Sequence, residues 1–275
     1  MKFPKNHVWS RGERTVGLPH PGKRFVNFES EKQHYDQHGF LIVRRLLGDS
    51  DFEELKQNLD RYIRDVVPGL PDGDAFYQDR SRPETLKQMQ RMGGDPYFRD
   101  YVHHPKWKAL AEAMIGEPAT VDQPEWFNKP PATHHVTPPH QDNYYFCLKP
   151  SNVLTMWMAL DVVDAENGCL RYVDGSHLRG YRKHAKSQIL GFSQGIMDFT
   201  TDDFNREVAA VLQPGDVVVH HGMTIHRADA NLSQTRHRRS FAMVFTGVSC
   251  QRDEEAFARY SESAREQHNA MGLKT

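Results

Sequence analysis

The sequence predicts a mainly β fold, a sandwich or jelly roll with flanking helices, from three observations. Short apolar segments recur through the second half of the chain, and turn signals such as Glu166-Asn167-Gly168 and Pro214-Gly215-Asp216 separate them. These segments do not alternate with helical patterns, as a parallel α/β fold requires. The helical patterns lie instead in the first part of the chain and at its C-terminus, so we expect helices that buttress one β core.

The N-terminal part of the chain predicts helices around one short strand. Apolar residues from Phe52 to Val66 recur at helical spacing, and the side chain of Asp49 or Ser50 is expected to cap that helix. In chain order we expect an irregular N-terminal arm over 1–27, a polar helix over 30–37, a buried strand over 39–43, a helix from 49 or 50 to about 66, and a helix from His104 or Pro105 to Ile115 that ends at Gly116.

The β part of the chain is expected to span about residues 118–248, and a polar helix over about 254–268 closes the chain. No internal repeat or low-complexity run divides the sequence, so we expect residues 28–275 to form a single domain. The predicted strands are 120–129, 142–148, 153–163, 169–173, 208–212, 216–221 and 238–248.

Composition excludes several classes of protein. The 275 residues include 35 basic and 36 acidic side chains, so no overall field draws the chain to nucleic acid or to an anionic membrane. Apolar stretches are too short to span a bilayer, and the first residues do not resemble a signal peptide. Three scattered cysteines indicate neither a disulfide framework nor a thiolate zinc site, so a reducing cytoplasm is expected.

Three residues have the chemistry of a metal site. His140 and Asp142 are separated by one residue, so on a strand their side chains point to the same face. His226 follows far downstream and can supply a third ligand from another strand. Two imidazoles and one carboxylate on one face of an octahedral ion leave positions free, which is the arrangement of non-haem Fe(II) oxygenases.

A basic run after His226 suggests how an acid is bound beside the metal. Arg236-His237-Arg238-Arg239 leads into the apolar strand that begins at Ser240. An arginine there can form a two-pronged salt bridge to a carboxylate several ångströms from the metal. Binding of 2-oxoglutarate, which chelates Fe(II) through its 2-oxo acid group, requires such a contact to its far carboxylate.

Taken together, these motifs resemble the phytanoyl-CoA dioxygenase family of Fe(II)- and 2-oxoglutarate-dependent oxygenases. The resemblance covers about residues 28–248. Besides the metal motif it rests on Gly39-Phe40, Asn128-Lys129-Pro130-Pro131, Glu166-Asn167-Gly168-Cys169-Leu170, Asp174-Gly175-Ser176-His177 and Pro214-Gly215-Asp216.

The resemblance implies a double-stranded β-helix, a cupin-like jelly roll, in which His140, Asp142 and His226 bind iron. It also implies that Gln141, Trp157 and an arginine of the last strand contact 2-oxoglutarate. The family's usual spacing falls on His237, so we expect a loop one residue longer, which makes Arg238 the ligand and Arg239 the alternative. Gln88 stands where some relatives have a lysine that touches the cosubstrate.

The expected function is hydroxylation of an aliphatic C–H bond in a small or medium-sized organic metabolite, with 2-oxoglutarate and O2 consumed and succinate and CO2 released. Halogenating relatives replace the metal carboxylate with a small residue, whereas Asp142 keeps it. Two alternatives stay open: the same cofactor chemistry with desaturation, cyclisation or epimerisation as its outcome, and a metal-binding jelly-roll module without catalysis.

Other residues have both a functional and a structural interpretation. His220 and His221 are rival metal ligands or ordinary strand residues, and His134 and His135 line the pocket mouth or a solvated loop. Tyr144 and Phe146 would share the face of Asp142 on a strand, and Glu125 would receive a cationic substrate if it faces inward. A basic run is either a lid that grips an anionic substrate or a solvated face: Arg179, Arg182, Lys183, His184 and Lys186.

Overall fold

We examined the chain as a computed structural model that describes residues 28–71, 73–189 and 192–270. The predicted arm over 1–27 lies outside the described residues. The helices are α1 Glu29–His38, α2 Asp49–Arg61, α3 Pro96–Tyr101, α4 Pro105–Ile115, α5 Asn143–Phe146, α6 Thr201–Asn205 and α7 Glu254–Ala270. A π-helical turn, Tyr62–Val66, continues α2, and 3-10 turns occur at Val67–Gly69, Pro83–Thr85, Met92–Gly94 and Ser176–Arg179.

The strands form two main antiparallel sheets. Their bounds are β1 Phe40–Val43, β2 Ala75–Tyr77, β3 Leu86–Met89, β4 Ala119–Val121, β5 Glu125–Lys129, β6 Thr137–His140, β7 Leu148–Lys149, β8 Val153–Ala159, β9 Leu170–Val173, β10 His184–Ile189, β11 Phe192–Ile196, β12 Glu207–Ala209, β13 Val217–His221, β14 His226–Ala228, β15 Arg238–Gly247 and β16 Gln251–Arg252. The major sheet has the order β1-β13-β8-β15-β5-β3-β2, with β4 paired to β15, and the minor sheet has the order β12-β9-β14-β6. The predicted mainly β jelly roll is confirmed.

The major sheet is buried on both faces, and strand alternation gives each face a different role. On β8, Met156 and Met158 belong to an apolar core with Leu55 of α2 and Trp107 of α4. Trp157 lies between them in sequence and belongs to a second core. The helices therefore cover one face of the sheet and leave the other face to the jelly-roll interior.

The second core lies between the two sheets. Trp157 and Ala242 of the major sheet share it with Tyr172 and Ala228 of the minor sheet. Phe40 of β1 stacks on Tyr172, with ring centroids 4.9 Å apart. This packing fixes β9 and β14 opposite β8 and β15, which sets the spacing between residues that face each other across the interior.

The structure confirms most of the predicted elements. The helix after Pro105 ends at Gly116, which adopts a left-handed φ of 86° that glycine accommodates without strain. The predicted cap of α2 is wrong, because Gly48 holds the N-cap position and no side chain bonds there. None of the described helices is long and apolar enough to cross a membrane.

The predicted strand over 142–148 is also wrong. Residues Asn143–Phe146 form the short helix α5, and only Leu148–Lys149 is extended. The side chain of Asn143 explains the difference, because its amide donates to the Leu148 carbonyl at 3.0 Å and its oxygen accepts from the Leu148 amide at 3.2 Å. These bonds close the turn locally, where the apolar alternation of Tyr144, Phe146 and Leu148 indicated a strand.

Candidate metal centre and cosubstrate cavity

Three ligand atoms converge at the interior end of the minor sheet. Strands β6 and β14 pair so that His140 and His226 are direct cross-strand partners. Asp142 follows two residues after His140, and the ligand atoms of the three residues lie within 4.8 Å of one another. The predicted ligands are therefore brought together, although the two histidines are 86 positions apart in sequence.

Backbone carbonyls orient both imidazoles. The Nδ1 atom of His140 lies 2.8 Å from the carbonyl of Pro138, and Nδ1 of His226 lies 3.0 Å from the carbonyl of Thr224. A carbonyl only accepts hydrogen bonds, so each Nδ1 carries the proton and each Nε2 keeps a lone pair. Such contacts to the far nitrogen are usual for metal-binding histidines.

Asp142 reaches the same point from a helical backbone. It has φ of −57° and ψ of −39° and precedes Asn143, the first residue of α5, so the expected strand geometry is wrong here. Its Oδ1 nevertheless lies 3.4 Å from Nε2 of His140 and 3.5 Å from Nε2 of His226. One carboxylate oxygen and two imidazole nitrogens thus face one another, as a facial three-ligand metal site requires.

The other oxygen of Asp142 is held by the major sheet. Its Oδ2 accepts a hydrogen bond from Oγ1 of Thr155 at 2.7 Å and lies 3.0 Å from Nε2 of His220. Nδ1 of His220 lies 3.1 Å from the hydroxyl of Tyr172. His220 therefore contacts the second carboxylate oxygen of a ligand, with its ring centroid 4.4 Å from that of His226, while His221 lies on the opposite face of β13, near His177.

The electrostatic environment of the three residues favours binding of a metal cation. Burial, and next the charge of His140, lower the pKa of His226 well below its ordinary value, so its imidazole is neutral. Burial alone would raise the pKa of Asp142, but the neighbouring histidines, His226 first, hold it well below its ordinary value. Two imidazole nitrogens and one carboxylate form a donor set that fits Fe(II).

A cavity of about 300 Å³ extends from this site between the sheets. It reaches the major sheet on one side and helix α7 on the other. Its wall comprises Phe76, Lys87, Gln88, Gln123, Glu125, Phe127, Asn128, Lys129, His135, Thr137, His140, Asp142, Tyr145, Phe146, Thr155, Trp157, Leu170, His220, His226, Ala228, Arg238, Ala242, Val244 and Tyr260.

Arg238 is the arginine that faces this cavity. Its side chain is buried, its guanidinium lies 5.3 Å from the ring of Trp157, and its Nε has no hydrogen-bond partner among the described residues. Burial lowers its pKa to about 10, which leaves it charged at neutral pH. Lys129 is its cross-strand partner. Arg239 points the other way and binds Asp161 at 2.7 Å.

Gln141 does not reach the cavity, which contradicts the prediction that it contacts the cosubstrate. Its amide nitrogen donates to the carbonyls of Gly180 and Met223, both at 2.9 Å. Its amide oxygen accepts from the backbone N–H of Arg182 at 2.8 Å. The side chain is fully buried and its polar atoms are bound to backbone, so it holds three segments together.

Gln88 and Glu125 both line the cavity, and the expected contact of Gln88 with the cosubstrate stays a prediction. The Nε2 atom of Gln88 donates to Oε2 of Glu125 at 3.2 Å. Glu125 therefore faces inward, which was the condition for its expected contact with a cationic substrate. Lys87 also lies in the wall, and it was not predicted there because no strand was expected over residues 86–89.

The remaining aromatic and histidine candidates divide between cavity and surface. His135 lines the cavity and His134 is exposed. Tyr145 and Phe146 line it, whereas Tyr144 stacks on His184 with ring centroids 3.9 Å apart. The helical geometry of α5 explains why Tyr145 replaces Tyr144 in the wall.

The basic insertion does not grip the cavity. Arg182 binds Asp198 at 3.2 Å and Asp203 at 3.3 Å, so carboxylates of the chain neutralise it. His184 is buried and accepts from the backbone N–H of Gln141 at 3.3 Å. Within the described part of the run, no side chain belongs to the cavity wall. The Lys186 side chain lies outside the described residues.

Thr155, His220 and Lys129 are site residues that the sequence did not single out for this role. Strand parity carried a signal for Thr155, which lies two residues before Trp157 on β8 and so shares its face. For His220 the sequence was ambiguous. Adjacent residues of a strand face opposite sides, so either His220 or His221 could face the interior.

Comparisons with known proteins agree with this arrangement. The family model for phytanoyl-CoA dioxygenase (PhyH) matches residues 35–240. The peroxisomal phytanoyl-CoA dioxygenase of Bos taurus is 27% identical over 236 residues, which cover 80% of this chain and 68% of that protein.

Solved structures share the fold. The epimerase SnoN, in complex with Fe3+, alpha ketoglutarate and nogalamycin RO, has a TM-score of 0.67 at 22% identity, covering 85% of this chain and 88% of that one. The alpha ketoglutarate dependent carbocyclase SnoK from nogalamycin biosynthesis has a TM-score of 0.65 at 24% identity, covering 85% of this chain and 91% of that one.

Proposed function

The chain belongs to the phytanoyl-CoA dioxygenase family of 2-oxoglutarate-dependent non-haem iron dioxygenases, and we propose that it hydroxylates an aliphatic C–H bond of a small or medium-sized organic metabolite. In the balanced reaction, the substrate C–H, 2-oxoglutarate and O2 become the C–OH, succinate and CO2. The observation that carries the proposal is the convergence of His140, Asp142 and His226 beside a cavity that contains the buried guanidinium of Arg238, whose Nε has no hydrogen-bond partner among the described residues.

His140, Asp142 and His226 would hold the iron. Fe(II), when bound, supplies the activation of O2 that couples oxidation of 2-oxoglutarate to oxidation of the substrate. The chain's part is to orient the ligands: the Pro138 and Thr224 carbonyls fix the two imidazoles, and Thr155 with His220 fixes the carboxylate.

Arg238 would bind the far carboxylate of 2-oxoglutarate. Its Nε lacks a partner among the described residues, and the buried charge has no described carboxylate beside it, so an incoming carboxylate would satisfy both. The indole of Trp157 packs against the guanidinium and restricts its orientation.

An outcome other than hydroxylation is the second candidate. SnoN and SnoK, which share the fold, are an epimerase and a carbocyclase. Their chemistry starts from the same cofactor and cosubstrate, so product mass separates the outcomes: hydroxylation adds one oxygen, desaturation or ring closure removes two hydrogens, and epimerisation leaves the mass unchanged.

The test is succinate release from 2-oxoglutarate by the purified chain with Fe(II) in air, with Asp142→Ala as the matched variant. We expect slow release without substrate and none from the variant. If the chain binds Fe(II) but neither binds nor consumes 2-oxoglutarate, the enzyme proposal is wrong and a non-catalytic metal-binding module is favoured.

We also propose that residues 28–275 act as one catalytic domain, because the N-terminal helices cover the sheet whose other face lines the cavity.

A cytoplasmic location is proposed from the three free thiols of Cys147, Cys169 and Cys250, which suit a reducing compartment. Relatives named as peroxisomal make that organelle the alternative, which localisation of the tagged full chain distinguishes.

A further inference from the structure

The cavity has one strongly basic end. Arg238 of β15 and Lys129 of β5 are cross-strand partners and both line the wall. Burial first, and then the charge of Arg238, lower the pKa of Lys129 to about 6, and Lys87 contributes in the same direction. Burial first, and then the charges of Lys87 and Lys129, lower the pKa of His135. The basic side chains of the wall therefore gather where the 2-oxoglutarate carboxylate is proposed to bind, and of these Arg238 is charged at neutral pH.

Glu125 lies away from that end on the same strand. It is four residues before Lys129 on β5, and both side chains face the cavity. At about 3.3 Å per residue, this separates them by about 13 Å along the strand. The cross-strand partner of Glu125 is Ala242 of β15, and Ala242 pairs on its other side with Trp157 of β8. Glu125 therefore lines a part of the cavity that is distant from its basic end.

The carboxyl group of Glu125 is underpaired for a charged group in the interior. Gln88 donates one hydrogen bond to Oε2, and Arg91 is the described cation that favours its charged form. The guanidinium of Arg91 is itself bound to Asp74 and to the Gly73 carbonyl. Burial, chiefly, raises the pKa of Glu125 to about 7, and the charges of two aspartates act in the same direction.

We propose that Glu125 recognises the primary substrate by binding a protonated amine group on it. This inference rests on the proposed function, because it names the substrate class of the same cavity. A cation would supply the positive counter-charge that the buried carboxylate of Glu125 lacks. A neutral hydroxyl would leave the negative charge of that carboxylate uncompensated. The half-buried side chain exposes the rest of its surface to the cavity, so the carboxylate is open to a ligand.

The aromatic residues of the wall support a cationic ligand. Phe76 and Phe127 are the cross-strand partners of Gln88 on either side, so both rings lie next to the residue that binds Glu125. Phe146 and Tyr260 line the cavity as well. Aromatic faces attract ammonium groups and pack against the hydrocarbon that carries them, which suits an alkyl or arylalkyl amine.

Matched amine and alcohol pairs test this inference on the full chain with Fe(II) and 2-oxoglutarate under anaerobic conditions. The probes are 2-phenylethylamine with 2-phenylethanol, hexylamine with hexanol, and cyclohexylmethylamine with cyclohexylmethanol, measured by calorimetry and ligand-observed NMR. We expect at least one amine to bind tenfold or more tightly than its alcohol. Equal affinity within every pair, including no binding to any of them, overturns the inference.

Two variants assign the preference to one residue. Glu125→Gln keeps the shape and should reduce the amine preference tenfold or more, while 2-oxoglutarate affinity changes less than threefold. Asp122→Asn removes a nearby negative charge outside the cavity wall and should keep the preference. A preference retained in Glu125→Gln also overturns the inference, and the wild-type comparison decides the question if that variant does not fold.

The two proposals fail in different ways. Succinate release without an amine preference rejects the role of Glu125 and leaves the oxygenase proposal intact. An amine preference without 2-oxoglutarate turnover rejects the oxygenase proposal and leaves the cationic ligand.

Discussion

Thr155 donates a hydrogen bond of 2.7 Å to Oδ2 of Asp142, the carboxylate oxygen that faces away from the two metal-site imidazoles. His220 lies 3.0 Å from the same oxygen. Together they leave Oδ1 directed at the Nε2 atoms of His140 and His226. The major sheet thereby controls the orientation of a ligand that the loop after the minor sheet carries.

Replacement of this hydroxyl is expected to weaken metal binding without loss of the fold. Thr155→Val is nearly isosteric but cannot donate to Asp142, so the carboxylate is held by His220 alone. We expect Fe(II) affinity to fall about tenfold, as is typical when a residue that orients a metal ligand is replaced. Anaerobic Fe(II) titration measures this, and Thr155→Ser should behave as the parent. Unchanged affinity in the valine variant would show that the bond does not matter.

Arg238 and Arg239 are expected to differ sharply in their effect on the cosubstrate. Arg238→Ala removes the proposed partner of a buried carboxylate, at a cost of 2–5 kcal/mol for such pairs, so KM for 2-oxoglutarate should rise by about 30-fold or more. Arg239→Ala breaks a partly exposed ion pair with Asp161 and should leave that KM unchanged. Succinate assays across 2-oxoglutarate concentrations measure both, and the reverse result would assign the carboxylate to Arg239.

Glu125 makes the stability of the protein depend on pH in a specific direction. Burial raises its pKa from 4.5 to about 7, so between these values the folded state holds a proton that the unfolded chain has lost. Stability conferred by this site therefore falls as pH rises through that window. Glu125→Gln removes the effect, so its Tm relative to the parent should be higher at pH 8 than at pH 5. A pH-independent Tm difference in thermal unfolding would contradict a raised pKa.

Gln141 is expected to contribute to stability rather than to cosubstrate binding. Gln141→Leu removes the three hydrogen bonds that this buried side chain makes to the carbonyls of Gly180 and Met223 and to the N–H of Arg182, at a cost on the order of 3 kcal/mol. Urea unfolding of the metal-free protein should show this loss, with KM for 2-oxoglutarate changed less than threefold. A selective rise in that KM at unchanged stability would instead restore the role first predicted for this residue.

Much of the fold was predictable from local pattern. The strand that contains Trp157 and the strand that begins at Arg238 were recognised because they are long and apolar. The helix from Pro105 to Ile115 was recognised because proline and glycine mark its two ends. These features depend on residues close in sequence, so a single sequence contains the information.

One part was missed because side-chain hydrogen bonds within a turn override the apolar pattern, and another because its contacts are distant in sequence. The turn after Asp142 alternates apolar residues as a strand does, but Asn143 closes it into a helix by bonding Leu148. The metal ligands were still identified, because ligand type and spacing do not require the backbone conformation to be right. The position of Gln141 depends on Gly180 and Met223, which no local pattern connects to it.

The insertion between β9 and β12 is fastened to the metal-site segment at several points. Gln141 bonds its first loop at Gly180 and Arg182, and the hydroxyl of Tyr145 donates to the carbonyl of Gln194 on β11 at 2.6 Å. An enzyme engineer who grafts this insertion from a relative therefore cannot treat it as an interchangeable module. The graft must bring compatible residues at 141 and 145, or the exchange will disturb the iron ligands on either side of Gln141.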